Sequence, residues 1–137
     1  MISNKVLVRV RYADTDKMQF VYNGKYFEYF EVGRTELLRS IGLPYRQIEE
    51  NGYQLPLIEA GIKYKMPAIY DDQLEIEAIN KTLTSAKVRI DYVIRRYPTE
   101  DIIAEGFTEH IFIKSDTKKA TRPPKFYLEI LGPYFKE

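Results

Sequence analysis

The segment from Arg11 to Tyr26, RYADTDKMQFVYNGKY, sets two carboxylates, Asp14 and Asp16, two positions apart just ahead of a helical pattern. Three kinds of chemistry fit that spacing. Asp side chains accept backbone N–H groups in Asx-turns and helix caps. Paired carboxylates can also hold a divalent cation, but hard cations want several oxygens and no third ligand stands nearby. The last option is acyl transfer, which needs a carboxylate as nucleophile or general base and N–H donors, such as those at a helix start, to polarise a carbonyl oxygen.

Composition narrows the remaining chemistry. The chain has no Cys and a single His, His110, which removes thiolate metal sites, a Cys nucleophile and a His-rich metal centre within one chain. No metal and no organic cofactor are expected. The 21 Lys plus Arg nearly cancel the 20 Asp plus Glu, so no global field draws the protein to nucleic acid or an anionic membrane. Apolar runs do not exceed three residues, far short of the ~20 of a membrane span. No basic start leads into an apolar stretch, so no signal peptide is expected, and the absence of Cys fits a cytoplasmic location. At 137 residues the chain is expected to be one domain, 1–137.

The elements that must position these residues are read from periodicity. Residues 5–13 alternate, with Val6, Val8, Val10 and Tyr12 on one face, as a half-buried strand does. Tyr26, Phe27, Phe30, Leu37, Leu38 and Ile41 then form a helical stripe of about five turns, with Asn23 as the N-cap and Gly42 and Pro44 as the stop. Gly33 lies within the stripe and predicts a backbone pressed against something flat, such as a sheet. On the same helix Glu28 and Glu36 read as solvent-facing, and Glu31 is spaced to pair with Arg34. Pro44 to Asn51 reads as a short second helix. Leu74, Ile76 and Ala78, then Val88, Ile90, Tyr92 and Ile94, then Ile102 to Lys114 give successive strands, with turns near Leu83 to Ser85 and Tyr97 to Asp101. Lys125 to Leu131 closes as a short helix. The layout is α+β, a curved antiparallel sheet wrapped around one long central helix. His110, on the last long strand, reads as a structural or interface residue.

Motifs along nearly the whole chain carry a family resemblance. Arg11-Tyr12-Ala13-Asp14-Thr15-Asp16, then Val21-Tyr22-Asn23, Tyr26-Phe27, Phe30-Glu31 and Arg34-Thr35-Glu36 are similar to the opening of the 4-hydroxybenzoyl-CoA thioesterase family of hotdog-fold enzymes. Ile62-Lys63-Tyr64 with Pro67-Ala68, Tyr70 to Ile76, and Arg122-Pro123-Pro124 resemble its later segments. The resemblance implies an acyl-CoA thioesterase in a homodimer or homotetramer. It makes Asp16 the catalytic carboxylate, sets the Asn23 backbone N–H at the thioester oxygen, and leaves Asp14 a structural role. Gln19 stands where the family often has Gly, and Asn23 where it often has His. Related readings are the same hydrolysis on acyl carrier protein and a non-catalytic acyl-CoA-binding hotdog.

Coenzyme A brings phosphates, and the chain has no P-loop or Gly-rich fingerprint. The cations expected to meet them are Lys114, Lys118, Lys119, Arg122 and Lys125, and, by the resemblance, the turn Thr84-Ser85-Ala86-Lys87 contributes. Gln19, Tyr22 and Tyr26 are the expected substrate contacts beside Asp16, with Phe27 as a further aromatic wall.

Overall fold

The computed structural model describes residues 1–83 and 86–135. The first strand, β1 (Ile2–Arg9), leads through a short 3-10 turn (Tyr12–Asp14) and a loop to helix α1 (Lys25–Ser40). After α1 come α2 (Tyr45–Glu50), β2 (Tyr53–Gln54), β3 (Leu57–Tyr64), β4 (Gln73–Asn80), β5 (Lys87–Tyr97), β6 (Ile102–Lys114), β7 (Ala120–Thr121) and α3 (Lys125–Leu131). No helix among the described residues is long and apolar enough to cross a membrane.

The strands make one antiparallel sheet in the order β1-β4-β5-β6, with β3, β2 and β7 also paired to β6. Alternation decides its two faces. Leu74, Ile76 and Ala78 of β4 and Ile90, Tyr92 and Ile94 of β5 are buried towards α1, whose Tyr26, Tyr29, Phe30, Gly33 and Leu37 fill the concave side. The residues between them carry ion pairs such as Arg95 with Glu77 at 2.9 Å and Arg89 with Asp91 at 3.3 Å. Gly33 lies where the helix meets the sheet: a Cβ built there would stand 2.8 Å from Ile76 Cγ2. The missing side chain is what brings the two backbones together.

Local expectations differ from the structure at several points. The first strand ends at Arg9, and Tyr12 sits in the 3-10 turn with its ring exposed, because the chain leaves the sheet to build the loop ahead of α1. Helix α1 has sixteen residues, a little over four turns at 3.6 per turn. Glu31 and Arg34 form no ion pair among the described residues. Glu31 is exposed, while Arg34 turns inward beside the Tyr92 hydroxyl and His110.

His110 is enclosed in that inner polar cluster. Its Nε2 lies 2.9 Å from Thr108 Oγ1, which in turn lies 2.7 Å from the Tyr92 hydroxyl, and its Nδ1 faces the Leu55 carbonyl at 3.4 Å. Burial, with the Arg34 charge adding to it, pushes the imidazole down to about 4, from an ordinary 6.5. The unfolded chain therefore binds a proton near pH 6.5 that the folded chain refuses until about pH 4. Stability is expected to be flat in this respect above pH 6.5 and to fall by about 3 kcal/mol as the pH drops through that window. Urea melts at pH 7.5 and 4.5 check this, and an equal decline in His110→Gln would remove His110 as the cause.

Candidate active site

The loop ahead of α1 is built on its two aspartates, and they do different work. Asp14 is 3% exposed and bolts the loop to the helix. Its carboxylate accepts the Arg11 N–H at 2.9 Å and the Tyr29 hydroxyl at 3.0 Å, with the Lys25 ammonium 3.2 Å away, and its carbonyl accepts the Tyr22 N–H. Burial alone would raise this carboxyl, but the Arg11 N–H, Lys25 and Tyr29 outweigh it and hold the group below its ordinary value. Asp14 is thus held as an anion.

Asp16 sits at the mouth of a tight hairpin that the Thr15–Val21 bridge closes. Its Oδ1 accepts the Met18 N–H at 2.9 Å and the Phe20 N–H at 3.3 Å, so one oxygen makes the Asx-turn that the residue type favours. Oδ2 takes no hydrogen bond from the described residues. Gln19 occupies the turn with φ of 67°, a left-handed conformation that Gly adopts more readily, and gives its N–H to the Asp16 carbonyl.

Helix α1 begins one residue later than an Asn23 cap requires. Gly24 is the N-cap residue, and no side chain caps the helix. Asn23 instead presents its backbone. The Tyr22 carbonyl accepts the Lys25 N–H at 2.9 Å and so points into the first turn; in a planar trans peptide the Asn23 N–H must then point the opposite way, out of the helix. That N–H has no acceptor among the described residues. Because the side chain is not a cap, Asn23→Ala is expected to change stability by less than about 0.5 kcal/mol and to keep most turnover. Denaturant melts with a rate assay check both.

Asp16, Asn23 and Tyr26 meet in a cleft of about 260 Å³ whose other walls include Met18, Phe20, Tyr64 and Met66. It falls below the ~300–1,000 Å³ of pockets that enclose a whole small ligand, and suits the reacting end of a longer one. Tyr26 forms the floor at 2% exposure. The far wall is held by Arg96, which donates to the Pro67 carbonyl at 2.8 Å and pairs with Asp72 at 3.3 Å. Tyr64, Met66 and their neighbours were not expected as site residues. Their signal in the sequence was the Ile62 to Ala68 segment, which resembles a strand and its exit without showing what it faces.

The structure does not bring every expected contact to this cleft. Tyr22 is 61% exposed and, like Gln19, does not line it, because the hairpin and the Gly24 turn direct both outward. Phe27 packs edge-on against Phe30. Lys87 opens β5 with its ammonium 4.0 Å from Glu109, and Arg122 is exposed after β7; neither lines the cleft. Thr84 and Ser85 lie outside the described residues.

A family profile described as the thioesterase-like superfamily matches residues 10–131. The chain belongs to that superfamily. Its hotdog fold, α+β as expected, is shared with a solved hypothetical protein from Aquifex aeolicus at 31% identity, with 93% of this chain and 98% of that one covered and a TM-score of 0.86. A DHNA-CoA thioesterase structure from Staphylococcus aureus is 26% identical, covering 100% of this chain and 97% of that one, also at 0.86. A 1,4-dihydroxy-2-naphthoyl-CoA hydrolase of Synechococcus elongatus is 25% identical over 118 residues, 85% of each chain. As a member of the thioesterase-like superfamily the protein is a thioester hydrolase, in agreement with the expectation from its motifs.

Proposed function

We propose that the protein hydrolyses an acyl-CoA to a carboxylic acid and free coenzyme A, with Asp16 as the catalytic carboxylate and the Asn23 N–H as the donor to the thioester oxygen. The observation that carries this reading is the cleft that joins a carboxylate with one uncommitted oxygen to an outward N–H at the start of α1. Water supplies the hydroxyl of the acid, either activated by Asp16 or in a second step after Asp16 has attacked the carbonyl. The C–S bond breaks and the sulfur leaves as coenzyme A. As the carbonyl oxygen gains charge, the Asn23 N–H binds it more strongly than in the bound substrate, which lowers the barrier.

The relatives named for naphthoyl-CoA hydrolysis support a coenzyme A thioester, and the motif likeness supports the narrower 4-hydroxybenzoyl-CoA thioesterase family. Arg122, Lys87 and the cations of the β6–β7 loop are the proposed nucleotide contacts, outside the cleft. Strand β3 pairs on one side with β6 and with no other described strand on its outer edge, which supports a homodimer or homotetramer. A thiol-release assay across aromatic and aliphatic acyl-CoA and acyl carrier protein thioesters tests the reading. Release from acyl-CoA is expected; release only from acyl carrier protein thioesters, or from none, overturns it.

A further inference from the structure

The start of α1 is closed in an unusual way. The Lys25 N–H bonds the Tyr22 carbonyl at 2.9 Å and the Phe27 N–H bonds the Gly24 carbonyl at 3.2 Å, while the Asn23 carbonyl between them takes no helix N–H. It accepts the Tyr64 hydroxyl instead, at 2.9 Å, across 41 positions of sequence. Two successive peptide planes are thereby held from opposite sides: the Tyr22–Asn23 plane by the helix, and the Asn23–Gly24 plane by a tyrosine from the sheet. Little else restrains the second plane, since Gly24 brings no side chain of its own to resist rotation.

We infer that Tyr64 is a positioning residue that ties the start of α1, and with it the Asn23 N–H, to the far wall of the cleft by gripping the Asn23 carbonyl. Its ring is itself well placed for this. Tyr64 pairs with Ala104 in the β3–β6 ladder, and its ring meets Tyr26 edge-on with centroids 5.3 Å apart. Partial burial, with Tyr22 nearby, raises the phenol above its ordinary value, and a neutral phenol donates its O–H near pH 7 in any case. Releasing the carbonyl lets the start of α1 shift relative to the far wall, and small displacements at a reacting centre cost far more in rate than in binding.

The inference rests on the reading of Asn23 as the oxyanion donor, and Tyr64→Phe tests it because that change removes the hydroxyl and keeps the ring. With circular dichroism unchanged, kcat for acyl-CoA hydrolysis is expected to fall about tenfold while KM stays within about twofold. Amide hydrogen exchange at Lys25 and Phe27, whose N–H groups are bonded at the start of the helix, is expected to quicken in the same variant. Unchanged exchange, or unchanged kcat, overturns the inference. A raised KM at constant kcat also overturns it, in favour of direct substrate contact. Failure of the thioesterase reading shows separately: the unmodified protein then releases no thiol, while the exchange measurement still reports whether Tyr64 holds the loop.

Discussion

Asp16→Asn is expected to lower turnover by at least ~10²-fold with the fold intact. The amide keeps the size of the side chain, and its oxygen can still accept the Met18 and Phe20 N–H groups that Oδ1 accepts now, so the hairpin retains its shape. What the amide cannot do is take a proton from water or attack a carbonyl as an anion. The measurement is a thiol-release rate on purified variant, with thermal unfolding to verify folding. Near-normal turnover would remove Asp16 from the mechanism. Asp14→Asn supplies the contrast: it weakens the ties to Arg11, Tyr29 and Lys25, so it is expected to lose more stability than Asp16→Asn and less activity.

The largest expected effect on stability is at Gly106. A Cβ built there would overlap the Gly61 carbonyl oxygen and stand 2.8 Å from Cζ of Phe30. Neither neighbour can yield cheaply. Gly61 belongs to the β3–β6 ladder, and Phe30 is fully buried with its ring stacked on Tyr92 at 4.2 Å. Gly106→Ala is therefore expected to cost about 3 kcal/mol by overpacking, and to lower the melting temperature by roughly 10 °C. Gly132→Ala is the control, because a Cβ there meets nothing within 4 Å. Equal melting temperatures for the two variants would contradict the packing described for the sheet and helix.

How much of this was legible depends on the range of the interaction. Period two in residues 74–78 and 88–94 assigned β4 and β5 and their buried faces, because each residue's side is set by the residue next to it, and the run 102–114 assigned β6 as a strand. The stripe from Tyr26 to Leu37 assigned α1, and Gly33 marked its contact with the sheet, for the same local reason. Spacing misled where a residue had two possible partners. Arg34 stands one turn from Glu31, yet it turns to Tyr92 on a strand nearly sixty positions away, and Asn23, a good cap by type, left the cap to Gly24.

The chemistry divides along the same line. The sequence by itself determined what chemistry is unavailable, since it offered no Cys and one His, and it set an Asp-x-Asp before an amphipathic stripe as the candidate carboxylates. Only the tertiary structure decided which aspartate is buried and which lines a cleft, and only it supplied the far wall. That wall comes from residues 64–67, delivered by the pairing of β3 with β6 at the edge of the sheet. Periodicity fixes which face of a strand is buried but not which strand lies beside it. The neighbour is selected by the summed packing of the whole sheet on α1, and so the Tyr64 hydroxyl meets the Asn23 carbonyl only in the folded chain.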